Sequence, residues 1–203
     1  MPARNVPIRA DVDGYVSGLI GQVAPDNQEA FSKLDAMFRP RVGHFLYKAC
    51  GDHWLADELT NESFLRAYQS LASYRGYTQR QFQSFLLSIA ANLLRDHFRH
   101  RRAVQVSLSQ ETTAQPNDYA ECNGNNGLET EERSSMLREA LARLTADETI
   151  LISLSHIADL PAEEIALIMG KPSAQAVRSA LCRAMKHLRT VLKHQGYFTQ
   201  VSA

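Results

Sequence analysis

The strongest chemical signal in the sequence is a C-terminal helix with cations along one side. On a wheel of roughly 100° per residue, apolar residues fill one arc and basic residues another. Between Lys171 and Lys193 there are six Lys or Arg residues and no acid. A basic arc is often only a solvated face, but this one follows a helix-turn-helix pattern, whose second helix enters the DNA major groove. The predicted DNA contacts are Lys171, Ser173, Gln175, Arg178, Ser179, Arg183, Lys186 and Arg189.

The residues before that helix supply the turn. Pro161 begins a short helix with Glu163 and Glu164 in its first turn, where negative charge suits the helix dipole. Gly170 is placed to end this helix and Ser173 to cap the next one. We expect Ser173, Gln175, Arg178 and Ser179 to reach base edges, and Arg183, Lys186 and Arg189 to hold phosphates.

A second group of residues combines aromatic rings with cations. Residues 72–81 read ASYRGYTQRQ, and the helix that follows ends in RDHFRHRR. Single-stranded nucleic acid needs rings on which bases stack and cations that hold its backbone. A base drawn out of a duplex needs a similar pocket. The alternative is structural: Tyr74 would be a core residue at a helix end, and the arginines would complement the helix dipole.

The predicted helix between residues 55 and 71 has an acidic flank. Asp57, Glu58, Asn61 and Glu62 lie beside an apolar stripe that includes Phe64. Such a face suits a basic protein partner or solvent rather than DNA.

The sequence lacks the patterns of a catalytic or metal site. His44, Cys50 and His53 are spaced by six and three residues, which does not place all three on one helix face. A Gly-rich phosphate loop, a nucleophile elbow and paired acid–base carboxylates are also missing. We therefore expect no enzyme activity, no metal and no cofactor.

The elements that must position these residues are helices. Between Phe82 and Phe98 apolar residues follow the i, i+3, i+4, i+7 pattern, and no stretch alternates with the period of a strand. The predicted fold class is all-α, with both halves large enough for a modest core. Near the N-terminus, Tyr15, Val16, Leu19, Ile20 and Val23 predict a short amphipathic helix.

Charge divides the 203-residue chain into two domains and a tether. Residues 104–135 carry one basic and six acidic side chains, and this excess of acid cancels the basic excess on either side, so that the formal net charge is zero. The middle segment is rich in Asn, Gly, Ser, Thr and Glu, which is typical of a flexible linker. The predicted organisation is an extension at 1–25, domains at 26–103 and 136–194, a linker at 104–135 and a tail at 195–203.

The sequence also favours a location in the cytoplasm. No run approaches 18 apolar residues, so no membrane span is expected. The N-terminus lacks the apolar core of a secretory signal. Three scattered cysteines fit no disulfide framework, which favours a reducing compartment.

Three stretches together resemble the sigma-70 family of bacterial RNA polymerase sigma factors. They are ADELTNESFLRAYQSL (56–71), FQSFLLSIAANLLRDHFRHRR (82–102) and residues 141–189. In that order, they resemble the sigma helix that binds the polymerase clamp, the sigma helix that melts the promoter and reads the minus-ten element, and sigma region 4. Two domains joined only by a tether are typical of the extracytoplasmic-function (ECF) group.

The resemblance implies a fold and a function for the whole chain. The N-terminal domain would be the three- to four-helix bundle of region 2, and the C-terminal domain the helix-turn-helix bundle of region 4. The chain would bind bacterial core RNA polymerase and direct promoter-specific initiation, while the polymerase performs the chemistry. An anti-sigma factor is a further partner of such proteins, although nothing in this sequence encodes that interaction.

The resemblance also assigns roles to matching positions. Region 4 would read double-stranded minus-35 DNA, and the linker would enter the active-site cleft of the polymerase. The implied polymerase-docking residues are Asp57, Glu58, Asn61, Glu62 and Phe64. The implied residues for opening and reading the minus-ten element as a single strand are Tyr74, Arg75, Tyr77, Arg80, Asn92, Arg95, Asp96, Arg99, Arg101 and Arg102.

This chain departs from the family pattern at several positions. Asn61 stands where Gln is usual, Phe85 where Trp is usual, and Ala180 where many members have Arg. Six residues, rather than five, separate Gly170 from Val177. These changes affect the expected promoter sequence more than the expected function.

Two alternatives remain at this point. The chain would be a helix-turn-helix regulator with an unrelated N-terminal domain, or a degenerate sigma factor that titrates partners without starting transcription. A polymerase-docking helix argues against the first. Binding to core polymerase without initiation would identify the second.

Overall fold

The computed structural model describes residues 9–23, 28–76, 78–108, 128–195 and 197. Within these residues the chain consists of α-helices and one short 3-10 turn, without a β-strand, which confirms the all-α prediction. The helices are α1 (Arg9–Gln22), α2 (Gln28–Cys50), α3 (His53–Ser70), α4 (Gln79–Leu108), α5 (Leu128–Ala142), α6 (Ala146–His156), α7 (Ala162–Ile168) and α8 (Ala174–His194). The 3-10 turn, Leu71–Ser73, connects α3 to the loop before α4.

Helices α1 to α4 form the first bundle around an aromatic and aliphatic core. Phe38 on α2 meets Phe82 on α4 edge to face, with ring centroids 5.1 Å apart. The apolar stripes that predicted the helices are the faces that become buried, because burying one stripe of each helix removes the most apolar surface from water. The largest fully buried side chains of this bundle are Leu34, Phe38, Phe45, Leu46, Phe82, Leu86, Leu87, Leu94 and Val16.

Helix α1 belongs to this bundle. Val16 and Leu19 on α1 are 0% and 4% exposed, as predicted, whereas Tyr15, which was predicted on the same apolar side, is 51% exposed. A carboxylate oxygen of Asp13 accepts a hydrogen bond from the backbone N–H of Gln79 at 2.7 Å. Because the first N–H groups of a helix have no partner within the helix, Asp13 satisfies one donor at the start of α4.

Helices α5 to α8 form the second bundle. Ala140, Leu144, Ile152, Ala184, Leu188 and Leu192 make up its own small core. Thr145 and Glu148 form a reciprocal capping box at the start of α6. Although burial opposes ionisation of Glu148, hydrogen bonds from Thr145 and His187 hold its pKa below the ordinary value.

The two bundles pack against each other, which the sequence does not predict. Helix α6 packs on α2 and α4, and α7 packs on α4. Ile150, Leu154 and Ile165 of the second bundle are at most 1% exposed and belong to the same continuous core as the first bundle. The end of α4 and the start of α5 lie inside the range predicted as linker. Residues 109–127 of that range lie outside the described residues, so the domain boundaries remain predictions.

Candidate DNA and polymerase interfaces

The basic side of α8 is exposed along its length. Val177, Ala184, Leu188 and Leu192 are buried, and the predicted cationic arc faces solvent. Arg178 forms an ion pair with Glu163, in the first turn of α7, at 2.9 Å. The arrangement presents a row of cations spaced along one helix, which suits a phosphate backbone. The exposed members of the row are Arg178, Arg183, Lys186, Arg189 and Lys193.

The turn between α7 and α8 has the backbone geometry that its residues predict. Gly170 adopts a φ of +60°, a left-handed conformation that glycine tolerates. The N–H of Lys171 donates to the carbonyl of Ala166, and the N–H of Gly170 donates to that of Leu167, at 2.8 and 3.3 Å. These are the two bonds of a Schellman motif.

Ser173 stands directly before α8. The Ser173 side chain accepts a hydrogen bond from the N–H of Ala176 at 3.2 Å and caps α8. Since Ser173 is the cap, the residues from Ser173 to Val177 keep ordinary helical spacing.

Tyr74 lies at the edge of the core rather than in solvent. Its ring is 4.7 Å from that of Phe85 and 5.6 Å from that of Phe82, centroid to centroid. Burial raises the pKa of Tyr74 to about 12. Its buried hydroxyl has no hydrogen-bond partner among the described residues, and a methyl group added to Gly76 would overlap the phenol. The Tyr74 ring is therefore already packed against Phe82 and Phe85. A base could stack on this ring only after the loop had changed its conformation. Tyr77 lies outside the described residues.

Helix α4 presents polar side chains toward the second bundle. Arg95 forms an ion pair with Asp147 of α6 at 2.9 Å and donates to Asn92 at 2.6 Å. Glu164 of α7 accepts hydrogen bonds from Arg80 and Ser84. Predicted minus-ten residues are therefore engaged within the chain.

The remaining minus-ten candidates lie before and after this contact. Arg99 and Asp96 are exposed and lie 3.8 Å apart, and Arg102 is exposed near the end of α4. Arg75 precedes α4, is exposed and donates to the carbonyl of Tyr74 at 3.1 Å. Arg101 is half-buried.

The acidic face of α3 is exposed, with one exception among the predicted docking residues. Asp57, Glu58 and Asn61 face solvent, and Glu62 is half-exposed and paired with Arg66 at 2.7 Å. Phe64 is only 3% exposed. It therefore packs beneath the acidic face and is not part of the surface that a partner would contact. The family resemblance implied a docking role for Phe64, whereas its helical spacing had already placed it in the apolar stripe that becomes buried.

Sequence reasoning missed three residues at the α3 surface. Trp54 and Leu65 are 83% and 52% exposed and continue the row of Glu58 and Asn61 at helical spacing. Arg39 on α2 donates to the Asn61 amide oxygen at 2.7 Å and lies over the Phe64 ring at 5.2 Å. The available signal for Trp54 was that it is the single tryptophan of the chain and stands at the start of the acidic helix. The contact between Arg39 and Asn61 spans two helices and has no signal in sequence spacing.

The histidines and cysteines considered as ligands do not assemble. Within the described ranges, no group of three or more His, Cys, Asp or Glu residues is arranged to hold a metal ion. Cys50 donates from its thiol to the Asp52 carbonyl at 3.3 Å, and burial raises its pKa to about 11. In the same part of the chain, no helix is long and apolar enough to cross a membrane.

Two family models match the two bundles. Sigma-70 region 2 matches residues 34–104, and Sigma-70, region 4 matches residues 134–188. The region 2 match removes the alternative of a regulator with an unrelated N-terminal domain.

Similar proteins are found in several bacteria. The chain is 33% identical to the RNA polymerase sigma factor CarQ of Myxococcus xanthus over 81% of this chain and 90% of CarQ. It is 27% identical to the ECF RNA polymerase sigma factor BldN of Streptomyces coelicolor, over 86% of this chain and 64% of BldN.

Solved structures share the fold. CnrH, in complex with the cytosolic domain of CnrY, aligns with a TM-score of 0.60 at 22% identity over 89% of this chain and 98% of CnrH. RpoE of Bartonella quintana, in complex with the anti-sigma factor NepR, aligns with a TM-score of 0.61 at 19% identity over 82% of this chain and 98% of that one. With matches to both family regions and to a sigma factor across most of its length, the chain belongs to the ECF subfamily of sigma-70 RNA polymerase sigma factors.

Proposed function

We propose that this sigma factor divides promoter-directed initiation among three surfaces. The acidic face of α3 binds core RNA polymerase, α4 and the loop before it open and read the minus-ten element, and α8 reads the minus-35 element. The observation that carries this proposal is the exposed row of cations on α8 directly after a capped helix-turn-helix turn. The chain itself performs no catalysis and works in the cytoplasm.

The α8 surface supplies both phosphate contacts and base contacts. Cations spread along a helix neutralise phosphates, while side chains at its N-terminal end reach base edges in the major groove. Arg178 lies in the second turn of α8 and is held by Glu163 at the side of α7. Its guanidinium is the group that pairs best with guanine, and it has to leave Glu163 to do so.

The α4 surface is suited to a strand rather than a duplex groove. Its arginines extend from Arg80 to Arg102 along a helix about 30 Å long for this interval, at about 1.5 Å per residue. Asn92 and Asp96 add groups that form hydrogen bonds with base edges. Tyr74 stacks on a base once the loop moves its ring away from Phe82 and Phe85.

The α3 surface combines acids with two exposed apolar side chains. Tryptophan at the centre of an interface often contributes a large share of the binding energy, and charged neighbours set orientation. Trp54 and Leu65 are therefore assigned to the polymerase contact together with Asp57, Glu58, Asn61 and Glu62. Arg39 is a positioning residue, because it fixes the shorter Asn61 amide through a hydrogen bond at 2.7 Å.

Run-off transcription with purified core polymerase and genomic fragments tests the function. Discrete start sites with aligned upstream elements support it, whereas binding without transcripts identifies the degenerate sigma factor that titrates partners. We expect Arg178→Ala to impair use of the minus-35 element and Tyr74→Ala to slow promoter opening with little loss of closed-complex binding. Loss of closed-complex binding alone in both variants would contradict this division of labour.

The α3 surface has its own matched pair of variants. Trp54→Ala should weaken binding to core polymerase by about tenfold or more, the range of an interface hot spot. Tyr15→Ala removes another exposed aromatic residue, on α1, and should leave that affinity unchanged. Equal affinities for Trp54→Ala and the parent chain would remove Trp54 from the docking surface.

A further inference from the structure

The start of α4 is held by a residue that lies far away in the sequence. A carboxylate oxygen of Asp13, on α1, accepts a hydrogen bond from the backbone N–H of Gln79 at 2.7 Å, and 66 residues separate the two. Gln79 is the first residue of α4, so its N–H has no acceptor within the helix. A carboxylate at this end of a helix also interacts favourably with the helix dipole. The contact therefore joins α1 to the beginning of the proposed minus-ten-reading helix.

The residues beside Gln79 satisfy two further donors at this helix start. The N–H of Gln81 donates to the Thr78 hydroxyl at 3.1 Å, and the N–H of Thr78 donates to the Gln81 side-chain oxygen at 3.2 Å. This reciprocal pair is a capping box. The local sequence therefore caps Thr78 and Gln81, whereas the N–H of Gln79 between them depends on α1.

The first turn of α4 supports the ring that the loop has to release. Phe82 is 0% exposed, its N–H donates to the Thr78 carbonyl at 3.0 Å, and its ring centroid is 5.6 Å from that of Tyr74. A methyl group added to Gly76 would lie 3.1 Å from the Cβ atom of Gln81, so the loop is in close contact with this turn. A shift of the first turn would therefore move the surface on which Tyr74 packs.

Asp13 is itself fixed by the packing of α1. It is half-buried, and Val16, three residues further along the helix, is 0% exposed. Because residues three apart lie on the same side of a helix, the burial of Val16 directs Asp13 toward the bundle. Helix α1 packs on both α2 and α4. The anchor for Gln79 is therefore a side chain held by the core.

We propose that Asp13 is a positioning residue for promoter opening, because its hydrogen bond to Gln79 fixes the first turn of α4 while the preceding loop releases Tyr74 to a base. This inference rests on the proposed role of that loop in opening the minus-ten element. Without Asp13, the first turn of α4 lacks one capping acceptor and frays more readily. Ordering that turn again on the DNA costs conformational entropy, which slows opening.

The test uses the reconstituted holoenzyme and a promoter fragment mapped by run-off transcription, with 2-aminopurine in the minus-ten element. Stopped-flow fluorescence at several holoenzyme concentrations separates the affinity of the closed complex from the rate of opening. Asp13→Ala removes the acceptor for the Gln79 N–H. Asp13→Asn keeps a side-chain oxygen in the same place.

Asp52→Ala is the matched control for the loss of a cap. The Asp52 carboxylate accepts a hydrogen bond from the N–H of Leu55 at 3.1 Å and caps α3. The control therefore removes a carboxylate from a helix start in the same bundle. Because α3 is 18 residues long, this cap lies about 27 Å from the end of α3 that leads to the loop.

The proposal predicts an effect on the rate of opening alone. Asp13→Ala should slow opening by about threefold to tenfold, the range expected for the loss of one capping acceptor, and leave the closed-complex affinity unchanged. Asp13→Asn and Asp52→Ala should open the promoter at the parent rate. Since both Ala variants lose a cap, general destabilisation of the bundle would slow both alike.

A double variant tests whether Asp13 acts through Tyr74. Asp13→Ala should slow a chain that carries Tyr74→Ala much less than it slows the parent chain, because the side chain that it positions is already missing. Equal fold-changes in both backgrounds would show that Asp13 acts elsewhere and would overturn the proposal.

The remaining outcomes separate this inference from the proposed function. A parent opening rate in Asp13→Ala, or equal slowing in Asp13→Ala and Asp52→Ala, would overturn the positioning role alone, provided that Tyr74→Ala slows opening. Opening as slow in Asp13→Asn as in Asp13→Ala would also overturn it, because the retained acceptor would then make no difference. If Tyr74→Ala opens the promoter at the parent rate, the proposed role of the loop fails and the role of Asp13 fails with it.

Discussion

Among single residues, Tyr74 best illustrates how one side chain connects packing to function. Its ring completes an aromatic cluster with Phe82 and Phe85, while its hydroxyl is buried without a partner among the described residues. An unpaired buried hydroxyl costs about 1–3 kcal/mol. The loop thus holds Tyr74 in a position that is favourable for the ring and unfavourable for the hydroxyl, which lowers the cost of moving this side chain out of the cluster.

Gly76 provides a test of this packing. The change Gly76→Ala should lower the free energy of unfolding by about 1–3 kcal/mol, because the new methyl group overlaps the Tyr74 phenol and forces the ring out of its site. Urea denaturation measures the effect. As a control, Gly18→Ala on α1 meets no neighbouring atom within 4 Å and should raise stability by about 0.5–1 kcal/mol. If Gly76→Ala were as stable as the parent chain, Tyr74 would not be packed against Gly76.

For the elements, the helix-turn-helix shows that local chemistry sets the boundaries of α7 and α8. Gly170 ends α7 with the two hydrogen bonds of a Schellman motif, and Ser173 begins α8. Lys171 and Pro172 lie between these two signals. The position of α8 thus depends on its cap as well as on its buried face.

The cap can be removed without changing the exposed basic arc. Ser173→Ala should destabilise the protein by about 1 kcal/mol, because the N–H of Ala176 loses its side-chain acceptor. Thermal unfolding followed by circular dichroism measures the shift. Ser179→Ala, an exposed change inside α8, should be neutral or slightly stabilising, because Ala favours helix. Similar losses in both variants would show that the Ser173 cap contributes nothing specific.

For the whole molecule, the continuous core predicts that the two bundles support each other. Leu154 on α6 is fully buried in the core that includes α1 to α4. Two bundles joined only by a flexible linker would unfold independently of each other. Bundles that share a core unfold together, because unfolding one exposes apolar surface of the other.

Hydrogen exchange distinguishes these cases. Leu154→Ala should cost about 2–5 kcal/mol and reduce amide protection in α4 as well as in α8. Leu167→Ala, at a side chain that is 83% exposed on α7, should change neither. Reduced protection confined to α5–α8 would show that the bundles unfold independently.

The sequence by itself determined the helices, the turn chemistry and the charged faces. Helical periodicity depends on local spacing, and Gly170 and Ser173 act on the backbone beside them. The exposed cations of α8 follow from the same spacing, since a buried stripe leaves the opposite side in solvent.

Only the tertiary structure decided which residues meet across the chain. The contact of Arg39 with Asn61 and the pairing of Arg95 with Asp147 each join separate helices. The physical reason is that periodicity specifies which side of a helix is apolar but not which helix will cover it. The packing of α6 and α7 on α4 turns two predicted domains into one core, and places the acids of region 4 on the arginines of region 2.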